Sequence, residues 1–374
     1  MPAPRPKPPL NQALRTGVDI YTAAVGRMRQ AYEQFDEVVV SCSGGKDSTA
    51  VVEVSRAAAR QVGRLPVKVA FLDEEVLLPE TVAHVEELSA DPELEVTWLY
   101  AAATYRNSCS NTEPDFVPWE PAKRSVWFRQ PHPQGVWPAG AERLPSSWGY
   151  QRFNHPAPTC INLLWPGAFM VSGLRVQESP ARWMGLYSRG GWLNATTRMG
   201  TPIYDWRLGD VWWAVREYGW RYNRAYDRFL RLGVRPKFIR VAPLFGSYAC
   251  GELATIRQGW PELWPALRLR VAGVAASGNW SGELHEARPG PDGTWRQGLE
   301  LVLAALAPED RKLWEKLVAN KLALHRRHAS GPPDDVRSCP YCNVSWRQLA
   351  QRAAAADRHG GRSTLHGPKR VRKK

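Results

Sequence analysis

Between Thr16 and Phe35 the apolar positions Val18, Tyr21, Val25, Met28, Tyr32 and Phe35 recur at intervals of three and four. That is the spacing of one helix face and predicts an amphipathic helix. The pattern then changes to a continuous apolar strand over Glu37–Ser41, an alanine- and valine-rich helix over Asp47–Gln61, and a second buried strand, VKVAFL, over Val67–Leu72. Pro79–Ser89 reads as a helix with proline in its first turn, and Leu94–Tyr100 as a third strand. Strands apolar on both faces, alternating with helices, predict a parallel sheet covered on both sides.

From Thr104 to Pro158 no period holds; prolines recur, and Trp119, Trp127, Trp137 and Trp148 are scattered. So long a stretch predicts an insertion, or a lid, and not a passive connection. Order returns with a fourth strand in GAFMVSGLR, Gly167–Arg175, and with a turn and two helices over Thr201–Gly233, the first opening near Asp210, which is expected to cap it. Helical regions over Gly251–Val271 and Thr294–His328 flank a glycine- and proline-rich break. The expected organisation is a flexible arm over 1–15, a main α/β domain over 16–245 with its insertion at 104–158, a helical region over 246–357 and a basic tail over 358–374.

The first strand opens into S-G-G-K-D-S and resumes as a helix: VVVSCSGGKDSTAVVEV, Val38–Val54. Such a turn places backbone N–H groups at a helix N-terminus, where the dipole and the unpaired donors favour an anion. Gly44 and Gly45 let backbone approach phosphate oxygens, Ser43 and Ser48 add hydroxyls, and Lys46 adds a positive charge. The G-x-x-x-x-G-K-[ST] phosphate loop is excluded, because it requires glycine at Val40 and serine or threonine at Asp47.

S-G-G-K-D-S after a buried strand resembles the PP-loop of the ATP pyrophosphatase superfamily, in which the loop holds the β- and γ-phosphates while the α-phosphate is attacked. AFLDEEVLLPET (Ala70–Thr81) resembles the second-strand segment of phosphoadenosine phosphosulfate (PAPS) reductase-like proteins. SGLRVQESPAR (Ser172–Arg182) is similar to their G-x-R-x-x-E-S-x-x-R motif, and PIYDWRLGDVWW with the later YNRAYD to their P-[IL]-x-x-W-x-x-x-D-[VI]-W and N-x-x-Y-D segments. The resemblance spans Thr16 to Val241 and implies an adenine nucleotide α-hydrolase-like fold: a parallel twisted sheet flanked by helices, here with a long insertion and a helical C-terminal extension. It implies nucleotide contacts from Ser41, Ser43, Gly44, Gly45, Lys46, Asp47, Ser48, Leu72, Asp73, Glu74, Gly173, Arg175, Glu178 and Arg182, with Lys46, Asp47 and Arg175 as catalytic groups. Arg175 and Arg182 are expected to face phosphate or sulfate, the alternative being salt bridges to Glu178 or a neighbour. Asp73 and Glu74, at a strand's carboxyl end, are expected at ribose or a magnesium ion. Trp206, Trp212, Trp213, Trp220 and Tyr226 are read as packing.

Reductases of that family carry a catalytic cysteine in a C-terminal E-C-G-x-H motif, of which this sequence holds only a faint echo at Cys250-Gly251. The intact loop therefore favours ATP over PAPS. The leading reading is an enzyme that cleaves ATP at its α-phosphate, with magnesium, to activate an acceptor for sulfur transfer or nucleic-acid modification. The alternatives are a genuine phosphoadenylyl-sulfate reductase with a cysteine nucleophile, and a nucleotide-sensing regulator that binds nucleic acid without turnover.

His325-x-x-His328 followed by Cys339-x-x-Cys342 has the spacing of a tetrahedral zinc site. Cys339 and Cys342 could instead join Cys160 and Cys250 around an iron–sulfur cluster, or bind no metal. Of the net charge of +14, seven units lie in residues 358–374, a tail that either touches nucleic-acid phosphates or only solubilises. A sulfur-donor protein is a further expected partner. No apolar run approaches the ~18 residues of a membrane span, and the proline-rich N-terminus lacks a signal-peptide core, so a cytoplasmic location is expected, with cysteines as thiols or metal ligands.

Overall fold

A computed structural model describes residues 18–110, 113, 115–143, 156–178, 182, 186, 191–236, 238–241, 243–244, 253–275, 287–306, 308–323, 332–334 and 344–354 of the 374-residue chain. The amphipathic helix α1 (Ile20–Gln34) leads into β1 (Val38–Cys42), α2 (Lys46–Val62), β2 (Val67–Leu72), α3 (Pro79–Ser89) and β3 (Leu94–Leu99). These elements lie where the hydrophobic pattern put them, to within a few residues. Helix α2 stops at Gly63, whose φ of 69° supplies the left-handed cap that a side chain would disfavour. Helix α1 starts later than Thr16 because Asp19 caps it, accepting the Thr22 N–H at 2.9 Å.

The chain is built of two compact units. The first comprises 1–107, 111–246 and 262–272, and its sheet has the order β3-β2-β1-β6-β8-β7. Strand β6 (Phe169–Val171) lies parallel to β1, while β7 (Leu193–Asn194) and β8 (Met199–Gly200) form a small hairpin that the sequence pattern did not reveal. From β1 the chain winds outward one way through β2 and β3, then returns to place β6 on the other side of β1. In a parallel sheet that reversal opens a crevice at the strands' carboxyl ends. The fourth strand is shorter than expected: after Ser172 donates to the Gly200 carbonyl at 2.9 Å, residues 173–175 leave the sheet.

The core lies between sheet and helices, with Met28, Val40, Val51, Val54, Phe169 and Trp206 fully or nearly fully buried. Arg27 of α1 is buried against the turn at 202–205, donating to both Asp205 carboxylate oxygens at 2.9 and 2.7 Å and to the Pro202 carbonyl at 2.6 Å. The expected turn and helix pair follow as α5 (Leu208–Glu217) and α6 (Ala225–Arg231), after a short α4 (Ala157–Leu164) that precedes β6. Helix α5 starts earlier than expected, with Arg207 and not Asp210 as its N-cap; Asp210 lies at the third helical position and accepts the Arg207 N–H at 2.6 Å.

The described part of the insertion is not free of structure. It holds a small antiparallel pair, β4 (Tyr105–Arg106) with β5 (Asp115–Phe116), and Val136 bridges to the edge of β3. Glu75, wholly buried with a φ of 68°, gathers it: its carboxylate accepts from the N–H groups of Trp119 and Phe128 at 2.6 and 2.9 Å, and from Arg270 of α8 (Trp264–Arg270) at 2.6 and 2.8 Å.

The second unit, 108–110, 247–261 and 273–374, holds α7 (Leu253–Gly259), and α9 (Trp295–Ala305), α10 (Pro308–Ala323) and α11 (Trp346–Ala354) packed around Leu299, Trp314 and Leu349. The single helical region expected over Thr294–His328 is broken between Ala305 and Pro308, where a proline opens the next helix. Among the described residues no helix is long and apolar enough to cross a membrane. The arm at 1–15, the basic tail and all of His325, His328, Cys339, Cys342 and Cys250 lie outside the described residues.

Candidate functional site

The crevice between β1 and β6 is bounded on one side by residues 43–48. Gly44 has a φ of 70°, and a Cβ there would meet Thr81 Cγ2 at 2.8 Å, so glycine is required on both counts. Gly45 is the N-cap of α2 in extended conformation and supplies no side-chain acceptor. The N–H groups of the first helical turn therefore have no acceptor within the helix, which is the arrangement that suits an anion.

Hydroxyls and amides hold this turn in shape. Ser43 donates its N–H to Ser48 Oγ at 3.1 Å, and Ser48 Oγ donates to the Gly45 carbonyl at 2.9 Å. Asn223 Nδ2 donates to the Gly44 carbonyl at 3.0 Å and to Thr81 Oγ1 at 2.8 Å, while Lys46 N–H donates to the Tyr226 hydroxyl at 3.1 Å. Tyr226 is thus a contact of the loop as well as a packing residue, stacked edge-on against Trp212. Asn223 is the first residue of the N-x-x-Y-D segment; its part in holding the loop was not expected from the sequence.

The charged groups form a connected set. Lys46 is buried, its Nζ donating to Asp47 Oδ2 at 3.0 Å. Burial pushes its ammonium below the usual lysine range, Asp47 opposes the shift, and Arg175 and Arg240 add to it. Arg175, also buried, donates through Nε to Asp47 Oδ1 at 2.8 Å and through Nη2 to Glu178 Oε1 at 3.1 Å. Asp47 consequently sits between two cations. The partner of Arg182 is Glu178, the salt bridge weighed as its alternative, and Arg182 is itself exposed.

Gly173 explains how the second loop reaches the first. A Cβ on it would lie 2.7 Å from the Asp47 carbonyl carbon and oxygen and 2.8 Å from Ser48 N, so the two backbones touch. Ser43–Ser48, Gly173, Arg175 and Glu178 are thereby brought together, whereas Ser41 lies half-buried inside β1 and Leu72 is buried at the end of β2.

Asp73 and Glu74 stand differently from expectation. Asp73 is 1% exposed; it accepts from Glu75 N–H at 2.9 Å and pairs with Arg129 of the insertion. Burial pushes its carboxyl up, with Arg129 opposing. Glu74 is buried, and its charge helps to raise the pKa of the buried Tyr105 hydroxyl after desolvation. Both acids face the insertion, and no described contact joins either to the 43–48 turn.

Among the described residues no group of three or more His, Cys, Asp or Glu side chains is arranged to hold a metal ion. Cys42, Cys109 and Cys160 are buried free thiols; burial raises Cys42 and pushes Cys160 up to about 11.

No protein-family model matches the chain. It is 27% identical over 281 residues to the uncharacterized protein YbdN of Escherichia coli strain K12, covering 71% of this chain and 68% of that protein. A crystal structure of PAPS reductase from Candida auris, in a phosphate complex, aligns with 60% of this chain and 91% of its own at 14% identity and a TM-score of 0.31.

Proposed function

We propose that the chain is an enzyme that binds ATP with its β- and γ-phosphates on the 43–48 turn and cleaves it at the α-phosphate, transferring adenylate to an acceptor and releasing pyrophosphate. The observation that carries the reading is the S-G-G-K-D-S turn itself: a glycine-shaped helix N-terminus at the switch point of a parallel sheet, with Lys46 and Arg175 gathered on Asp47. Anionic phosphate entering there gains the open N–H groups and competes with Asp47 for the two cations. Positioning and charge neutralisation would then supply most of the catalysis.

A magnesium ion is the usual companion of such a substrate, but the carboxylates at the strand ends are poorly disposed to hold one. Asp47 is already paired with Lys46 and Arg175, and Asp73 with Arg129. The ion would arrive on the nucleotide's own oxygens. The raised, buried thiols of Cys42 and Cys160 weigh against their serving as reductase nucleophiles, because the thiolate is the reactive form. The deciding experiment is chromatography of the products formed from α-³²P- and γ-³²P-labelled ATP, with sulfite release from PAPS assayed in parallel. Adenylate, free or on an acceptor, with pyrophosphate supports the proposal; ADP with phosphate, or sulfite release from PAPS, overturns it.

A further inference from the structure

A cavity of about 370 Å³ opens on the same unit along α2, about two to four turns beyond Lys46. Its lining is charged: Glu53, Arg56 and Arg60 of α2, Asp91 after α3, and Arg221 after α5. Most of those charges cancel locally. Arg56 Nη2 lies 3.1 Å from Asp91 Oδ2 and its Nε 3.8 Å from Glu93 Oε2, while Arg60 pairs with Glu93 as well.

Two charges are left over. Glu53 is 8% exposed; it shares the Arg56 guanidinium, at 3.4 Å, with Asp91 and Glu93, and no described hydrogen bond reaches its carboxylate. Arg221 donates to the neutral backbone carbonyl of Glu87 at 3.4 Å and has no carboxylate among its described partners. A buried carboxylate without hydrogen bonds is costly to keep, and burial does push the Glu53 carboxyl up. Glu53 and Arg221 feel each other electrostatically and line one cavity, yet form no ion pair. Beside them, Tyr21, Tyr218 and Trp220 cluster with ring centroids 4.2 to 6.1 Å apart, giving the cavity an apolar wall.

We propose that this cavity is a second ligand site, separate from the 43–48 turn, and that it binds a free α-amino acid: its ammonium at Glu53, its carboxylate at Arg221 and its side chain on the Tyr21–Tyr218–Trp220 wall. A simple anion would meet Glu53, which has only a shared cation, and a simple amine would meet Arg221, whereas one zwitterion satisfies both. The volume is in the range of small-molecule sites. The site stands whether or not the loop binds ATP.

Calorimetry on the full chain with the common free amino acids, one at a time, tests it. At least one should bind saturably, and its decarboxylated amine and its deaminated acid should each bind at least about tenfold more weakly. For leucine those analogues are 3-methylbutylamine and 4-methylpentanoate. Glu53→Gln and Arg221→Gln should each cost a comparable factor while ATP affinity holds. Arg221 is exposed, so its substitution tests the site even where Glu53→Gln fails to fold. Saturable binding by none of the amino acids, equal binding of a one-charge analogue, or binding that survives Arg221→Gln overturns the proposal.

Discussion

The hydroxyl of Tyr226 accepts the backbone N–H of Lys46 at 3.1 Å, across 180 residues of sequence. It satisfies one of the open donors at the start of α2 while leaving the rest of that turn to a ligand. Tyr226→Phe keeps the ring under the Lys46 ammonium but orphans a buried N–H, a cost of about 1–3 kcal/mol. Urea denaturation of the ligand-free protein should show that loss, and an unchanged midpoint would mean that water replaces the hydroxyl.

Lys46→Ala removes a charge-assisted contact to phosphate and should weaken ATP binding by about 1.5–3 kcal/mol. Calorimetry on wild type and variant gives the difference directly; equal affinities would move the nucleotide away from this turn.

Gly173→Ala should act on both loops at once. Its methyl group would press on the backbone of Asp47 and Ser48, which cannot rotate away as a side chain could. A stability loss of about 1–3 kcal/mol, together with weaker ATP binding, is the expected outcome.

Glu75→Gln tests how the insertion is held. The Arg270 guanidinium is as buried as the carboxylate it pairs with, so neutralising Glu75 leaves a buried charge uncompensated at about 3–5 kcal/mol. Hydrogen exchange should accelerate first at the Trp119 and Phe128 amides, both bound to Glu75. Uniform acceleration across the sheet would instead indicate that Glu75 supports the whole unit.

His84 gives the stability a pH dependence. It is buried with Nε2 on Thr49 Oγ1 at 2.9 Å and Nδ1 unpaired, and burial lowers its pKa from 6.5 to about 4, with Arg221 and Arg224 adding to the shift. Between those values the unfolded chain binds a proton that the folded chain refuses. Stability is therefore whole above pH 6.5 and falls as the pH drops toward 4, by about 3 kcal/mol at the full extent. His84→Asn should flatten that part of the profile relative to wild type in denaturation measured across the range.

Long elements were legible because each had both a period and a boundary signal. VKVAFL and the proline-led helix at Pro79–Ser89 fall on their expected residues. The two-residue strands at Leu193–Asn194 and Met199–Gly200 carry no period, and only their pairing with β6 and with each other makes them strands. Helix α11 could have been found from Ser345 and Gln348, which cap each other's N–H groups at 3.2 and 3.0 Å, a serine-to-glutamine spacing that announces a helix start. At the candidate site, the glycines and cations could be read as residue types, but the pairing of Asn223 with Thr81 could not, because it joins segments 142 residues apart. Asp73 misled for a related reason: its place at a strand end was legible, whereas its closure by Arg129 depends on how the insertion folds back.

The reversal of winding at β1 also orders events in time. As the chain leaves the ribosome, residues 38–48 emerge early, yet Gly173, Arg175, Asn223 and Tyr226 follow only after well over a hundred further residues have been made. Strands β1 to β3 can pair as they appear, but the 43–48 turn stays without its carbonyl anchor and its arginine until β6 slots in beside β1 and α6 docks. A nascent or truncated chain thus exposes a half-built turn, and its finished geometry arrives late and all at once, as a property of the closed sheet.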